Sequence, residues 1–247
     1  PPISLAAQIP NATSGWGTIL CDTYVNGNLV STNTCAFQLT VPASVVPSIS
    51  SISIAEATAG VADRFGGYVR TRSKLSVGVT AAGAQSSSIS AYRTSIDGVT
   101  YSGSSFTTNA LNTAGNLTMT VTVTDSRGRT ASTTRTVTVL DYSPPSLSQF
   151  TAERCNADGT AAQTDGTKVR ISAKASGSSV GGKNTLACTV YYKLSSAESW
   201  VSAVTLAPSN YVIAATNRLL SPTFDALSSY DIKIRVQDVF YYVEQTV

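Results

Sequence analysis

Four cysteines, two Asp-Gly turns and a few aromatic side chains are the groups in this 247-residue chain whose types and spacing could do chemistry. The cysteines stand at positions 21, 35, 155 and 188, and none forms a Cys-x-x-Cys pair, which argues against a zinc ribbon. Cys21 and Cys35 flank the turn around Asn26-Gly27-Asn28. A three-residue loop centred on Asn28 sets position 21 opposite position 35, as a cross-strand disulfide or as two core thiols. Cys155 and Cys188, on separate strands, carry the same two readings, and reduced pairs suit a particle assembled in reducing cytosol. Asn156-Ala-Asp-Gly-Thr160 followed by Asp165-Gly-Thr167 invites a calcium reading, but the first ligand position is Arg154 and the twelfth is Asp165 in place of Glu. Two Asp-Gly turns are the simpler account. No metal and no cofactor is expected.

The aromatic residues are the better candidates for binding. Trp16, Trp200, Tyr211 and the run Phe240-Tyr-Tyr242 could stack on a sugar ring, while alternate members of such runs also serve as core or edge cover. Trp200, just after Glu198 in a loop, is the first choice for a glycan contact, with Trp16 and Tyr211 beside it. Asp125-Ser-Arg-Gly-Arg129 reads as a hairpin turn with exposed Arg flanks, and Lys74, Arg93 and Arg127 as solvent-facing positions. Asn11-Ala-Thr13 and Asn116-Leu-Thr118 match the glycosylation sequon, a match that means little in a protein made in bacteria.

Composition narrows the chemistry further. There is no histidine, which removes Ser-His-Asp and Cys-His catalysis, imidazole relays and His-ligated zinc. An enzyme is not expected. The 17 basic and 14 acidic side chains are dispersed, and residues 1–42 hold one acid, Asp22, and no base. No stretch has the density of Lys and Arg that neutralising many phosphates requires, so nucleic acid is not an expected partner. No apolar run reaches 18 residues, so no membrane insertion is expected. The chain opens on Pro1-Pro2, as a piece of a longer protein would.

The elements that must position these residues are strands. Lys74-Leu-Ser-Val-Gly-Val-Thr80, Leu117-Thr-Met-Thr-Val-Thr-Val-Thr124, Thr134-Arg-Thr-Val-Thr-Val-Leu140 and Ile232-Lys-Ile-Arg-Val236 all alternate with a period of two. Such alternation sets one face on a core and the other in water. The 35 Ser and 33 Thr keep the wet faces polar with little charge. Long stretches of helical period are lacking, and 203–219 is the segment that resists assignment.

A strand, a turn and a return strand ending in Thr-Val recur with Asp at 22, 125 and 238, spacings of 103 and 113. The return strands run into Pro42 and Pro47, then into Pro144-Pro145, which mark boundaries. A period near 100 residues, all strand, predicts tandem β-sandwich modules: 1–42 as the C-terminal part of one, 43–141 as a second and 142–247 as a third.

Phe65-Gly-Gly-Tyr-Val69, Ser73-Lys-Leu-Ser-Val77, Asp97-Gly98, Thr122-Val-Thr-Asp-Ser-Arg-Gly-Arg129, Tyr142-Ser-Pro-Pro145 and Arg154-Cys-Asn-Ala-Asp-Gly159 together resemble the Ig-like repeat region of siphophage tail proteins. The resemblance covers most of residues 16–247 and carries no catalytic residue. It implies an all-β chain of tandem Ig-like or fibronectin-type modules in a tail fibre or baseplate-associated protein of the virion. There it would space or present host-contacting parts. The implied partners are other tail proteins, a host cell-surface glycan and further copies of the chain. The alternatives are a stalk or adhesin on the bacterial surface, or a secreted polysaccharide-binding accessory module.

Overall fold

The computed structural model describes residues 2–247. Residues 3–8 form a short 3-10 helix whose buried residue is Ala6. Strand β1 (Ser14–Val25) then returns as β2 (Asn28–Thr40) to make a two-stranded sheet of its own. Asn26 and Gly27 both take positive φ, 53° and 80°, which gives the two-residue turn whose twist suits a hairpin.

That turn overturns the expected register. Val25 pairs with Asn28, and a bulge between Thr23 and Tyr24 shifts the ladder, so Cys21 lies opposite Asn33 and Cys35 opposite Ile19. The two cysteines are diagonal neighbours on one face and do not meet directly across the hairpin. The physical reason is that Asn-Gly closes the turn two residues earlier than a loop centred on Asn28 would.

The chain divides into two compact units, one of residues 1–62 with 71–139, the other of residues 63–70 with 140–247. The one-turn helix α1 (Val61–Phe65) straddles the division and the two-residue strand β4 (Tyr68–Val69) belongs to the second unit, while the first unit's own sandwich strands begin with β3 (Ser48–Glu56). Then come β5 (Leu75–Ala82), β6 (Ile89–Ile96), β7 (Val99–Ser102), β8 (Ser105–Thr107), β9 (Gly115–Asp125) and β10 (Thr130–Leu140). One sheet has the order β3-β5-β8, and the other runs β10-β9-β6-β7. The predicted alternation holds on β5 and β9: Leu75, Val77 and Val79 are buried with Ser76 and Gly78 between them, and Met119, Val121 and Val123 are buried with Thr120 and Thr122 between them. Each sheet therefore offers one apolar face, and the two faces close a sandwich.

The second unit repeats the plan. It contains β11 (Ser146–Cys155), β12 (Lys168–Ser176), β13 (Ala187–Leu194), β14 (Val201–Leu206), β15 (Val212–Leu219), β16 (Tyr230–Gln237) and β17 (Tyr242–Thr246). The sheets are β11-β12-β15 and β14-β13-β16-β17. The segment 203–219, unassigned from sequence, supplies most of the edge strands β14 and β15. Its core gathers Phe150, Ile171, Val190, Ile213, Phe224, Ile232, Ile234 and Val236. In both units the first, second and fifth of the seven sandwich strands form one sheet, and the third, fourth, sixth and seventh fall in the other. This is the fibronectin-type plan.

Candidate functional site

The most elaborate polar construction in the first unit is the turn between β9 and β10. Asp125, 1% exposed, receives three hydrogen bonds on its carboxylate. The donors are the Ser87 hydroxyl at 3.0 Å, the Arg127 amide at 3.0 Å and the Arg129 amide at 2.9 Å. So fixed, the turn presents two guanidinium groups. Arg127 donates to the main-chain carbonyls of Ala6 at 2.9 Å, Ile9 at 3.1 Å, Ala84 at 2.6 Å and Gln85 at 2.5 Å. Arg129 donates to Val41 and Pro42, both at 2.5 Å, and to Val45 at 2.7 Å. The Ser126 hydroxyl adds a bond to the Pro10 carbonyl at 2.7 Å.

The expectation of exposed Arg flanks is therefore wrong for Arg127, which is 7% exposed. Lys74 and Arg93 do face solvent. The cause is long-range: the acceptors at Ala6 and Ile9 lie 121 and 118 residues earlier in the chain. Planar, always-charged guanidinium suits this task, because one group can serve several carbonyls at once. Most of that donor capacity is spent inside the unit, which leaves the turn poorly placed to meet an acidic partner.

Asp238 plays the same part after β16. Its carboxylate accepts from the amides of Phe240 at 2.7 Å and Tyr241 at 2.8 Å, and from the Asn184 side chain at 3.3 Å. Ser87 and Asn184 both lie just before the strand that follows, β6 and β13. Each aspartate thus ties its turn to the same neighbouring loop. Where Arg127 follows Asp125 by two residues, Phe240 follows Asp238. Phe240 stacks on Phe65 with ring centres 5.2 Å apart and meets Tyr142 edge-on at 5.0 Å. Asp22 does not belong with these two. It lies inside β1, exposed, where the Thr32 hydroxyl donates to it at 2.6 Å.

The structure does not gather the three aromatic candidates into one site. Trp16, 76% exposed, borders a cleft of about 150 Å³ with Leu5, Ile9, Phe37 and Leu39. Tyr211 packs against the core of the second unit and donates its hydroxyl to the Asn184 carbonyl at 3.1 Å. Trp200 is half-buried, with the Lys233 ammonium 4.6 Å and the Lys193 ammonium 5.4 Å from its ring centre. Around it, Lys233 and Arg235 share Glu244 at 3.5 Å each, Arg235 covers Tyr242 at 4.1 Å, and Lys193 pairs with Asp231 at 3.2 Å. This cation–aromatic row on β13, β16 and β17 escaped the sequence reading. The signal was present in Ile232-Lys-Ile-Arg-Val236, whose outward positions are both cationic.

The four cysteines are free thiols, Cys21 and Cys35 exposed, Cys155 and Cys188 buried. Burial pushes the Cys188 thiol up to about 11. The folded state thus favours the protonated thiol, and that stabilisation is complete below the unfolded value near 9 and fades as pH rises towards 11. Urea titrations from pH 8 to 11 are expected to lose about 2–3 kcal/mol of stability through this group. Cys188→Ala is expected to flatten that slope relative to the parent; an unchanged slope would refute the assignment. Asn156–Thr160 forms a turn in which Asp158 accepts from the Thr160 amide at 2.8 Å, a bond that holds its carboxyl below the usual range. Among the described residues no group of three or more Cys, Asp or Glu is placed to hold a metal ion.

Two seven-stranded sandwiches of fibronectin type, with aspartate-anchored turns in each, define the chain as a tandem β-sandwich protein. It belongs to the family described as siphovirus protein of unknown function (DUF859), whose model matches residues 1–247. No curated protein sequence matches it. Among solved structures it is similar to a two-domain fibronectin type III segment of chicken tenascin, with 13% identity and a TM-score of 0.27 over 81% of this chain and 98% of that one. It is also similar to three N-terminal domains of the outer capsid protein Hoc of bacteriophage RB49, with 12% identity and a TM-score of 0.33 over 96% and 86%. Domains A168–A170 of titin give 12% identity and 0.32 over 95% and 72%.

Proposed function

We propose that the chain is a non-enzymatic structural segment of a siphovirus tail protein, a fibre or baseplate-associated component that spaces or presents host-contacting parts. The observation that carries this reading is the turn at Asp125–Arg129. Its two guanidinium groups make seven hydrogen bonds to main-chain carbonyls, four of them to residues 6, 9, 41 and 42, and so dock the N-terminal segment on the sandwich. A part whose task is to hold a fixed spacing needs joints of this kind, and membership of a siphovirus family supplies the setting.

Antibodies raised against residues 43–141 test the placement. Gold labelling of purified virions is expected along the tail or at its tip. Labelling confined to the capsid, or virions carrying none of the protein, would overturn the tail assignment. Labelling of the surface of uninfected cells would favour the adhesin alternative.

A further inference from the structure

The hairpin β1–β2 is the twin of β9–β10. As far as the bulge after Thr23, raising both residue numbers by 100 converts one register into the other: Gly15 opposite Leu39 becomes Gly115 opposite Val139, and Cys21 opposite Asn33 becomes Val121 opposite Thr133. The Asp-to-Asp spacing of 103 read from the sequence is thereby corrected to a strand spacing of 100, with Val25, not Asp22, in the place of Asp125.

The twins differ in what covers them. On β9–β10 the face bearing Met119, Val121, Val123, Val137 and Val139 is sandwich core, none more than 3% exposed. Strand β9 is also hydrogen-bonded along its other edge to β6. On β1–β2 the same face bears Ile19, Cys21, Cys35, Phe37 and Leu39. Ile19 is 55% exposed, both thiols are open, and among the described residues no strand pairs with the other edge of β1. A long uncharged ribbon with an open edge and apolar faces is one that proteins ordinarily cover. Asp22 is its one charged residue.

We propose that β1–β2 is the closing hairpin of a further sandwich. Its Ile19–Cys35 face is then the docking surface for that sandwich's remaining strands, carried on the same polypeptide: a three-stranded sheet over the face and a strand along the free edge of β1. The twin register assigns this occupant, because those are the elements that cover β9–β10. A second copy of the chain does not fit. Its own β3, β5, β6 and β8 already close its own sandwich. One hairpin laid on another meets over roughly 40 by 10 Å, about half of the ~800 Å² per side of a stable interface.

The thiols read the outcome. In the 247-residue chain, after reduction, maleimide at pH 7 is expected to modify Cys21 and Cys35 rapidly and to spare Cys155 and Cys188, both 0% exposed. In the native polypeptide from infected cells, the labelling of Cys21 and Cys35 is expected to slow by about 100-fold or more, as buried sites require local opening to react. Equal rates in both preparations overturn the proposal. So does a native polypeptide consisting of these 247 residues alone. Protection in the 247-residue chain that grows with its concentration would put a second copy on the face and also overturn it. None of these outcomes depends on where in the virion the protein sits.

Discussion

Arg127→Ala is expected to destabilise the first unit by about 3 kcal/mol and to open the chain near Ala6–Ile9 and Ala84–Gln85 to protease. The estimate follows from what the side chain leaves behind. Four main-chain carbonyls, those of Ala6, Ile9, Ala84 and Gln85, lose a charged donor at 2.5–3.1 Å. Hydrogen bonds to charged groups contribute about 1.5–3 kcal/mol each, and a buried acceptor left without a donor costs a further desolvation penalty. The full sum overstates the loss, because water entering the vacated space meets some of the carbonyls. Arg127→Lys is expected to recover less than half of the stability, since a single ammonium has three donors and no planar fork. Urea unfolding and timed proteolysis measure both effects. Unchanged unfolding with no new cleavage near Ala6–Ile9 or Ala84–Gln85 would refute the role given to this side chain.

Phe224→Ala is expected to cost the second unit about 3–5 kcal/mol, the range for emptying a large aromatic site in a core. Phe224 is 0% exposed and lies in the connection before β16. Two rings meet it nearly at right angles: Tyr192 at 5.3 Å and 72°, and Tyr230 at 5.0 Å and 90°. Such edge contacts add to the value of burial, and the Tyr230 hydroxyl, which accepts from the Asp225 amide at 3.3 Å, resists swinging inward to fill the space. In a module near 100 residues the loss corresponds to a fall in Tm of more than about 10 °C. Phe224→Leu keeps most of the volume and is expected to lose less than half as much. A Tm drop of only a degree or two for the alanine variant would mean that the site collapses around the missing ring.

The fold was largely legible because its signal is local. In Leu117–Thr124 and Ile232–Val236 every second residue is apolar, and the structure buries those residues on β9 and β16. The edge strands β14 and β15 were illegible for the converse reason. Only Leu206 of β14 and Ile213 of β15 are buried, so neither strand shows a clean period, since an edge strand meets the core along only part of its length. The junction at Arg127 could not be read at all. Asp-x-Arg-Gly describes a turn, and nothing within it reports that carbonyls more than 110 residues away will close over the guanidinium. The cysteine register failed on two steps, the choice of a three-residue loop where Asn26-Gly27 makes a two-residue one and the bulge between Thr23 and Tyr24. Trp200 was legible as a loop aromatic, but its neighbours Lys193 and Lys233 come from two other strands, and strand order is a tertiary fact.

All seven acceptors of Arg127 and Arg129 are backbone oxygens, and no side chain of the segments they hold takes part in those bonds. Inheritance therefore constrains the two ends of the joint unequally. At residues 6–9 and 41–45 the bonds ask only that the main chain keep its path, although Ala6, Val41 and Val45 are buried together and must stay apolar and of similar size. Asp125, Arg127 and Arg129 have no such latitude. A sequence exchanged upstream of Val41 keeps the grip when it returns main-chain carbonyls to the places of Ala6 and Ile9 and an apolar side chain to the cluster with Val41 and Val45, and the joint asks nothing else of it.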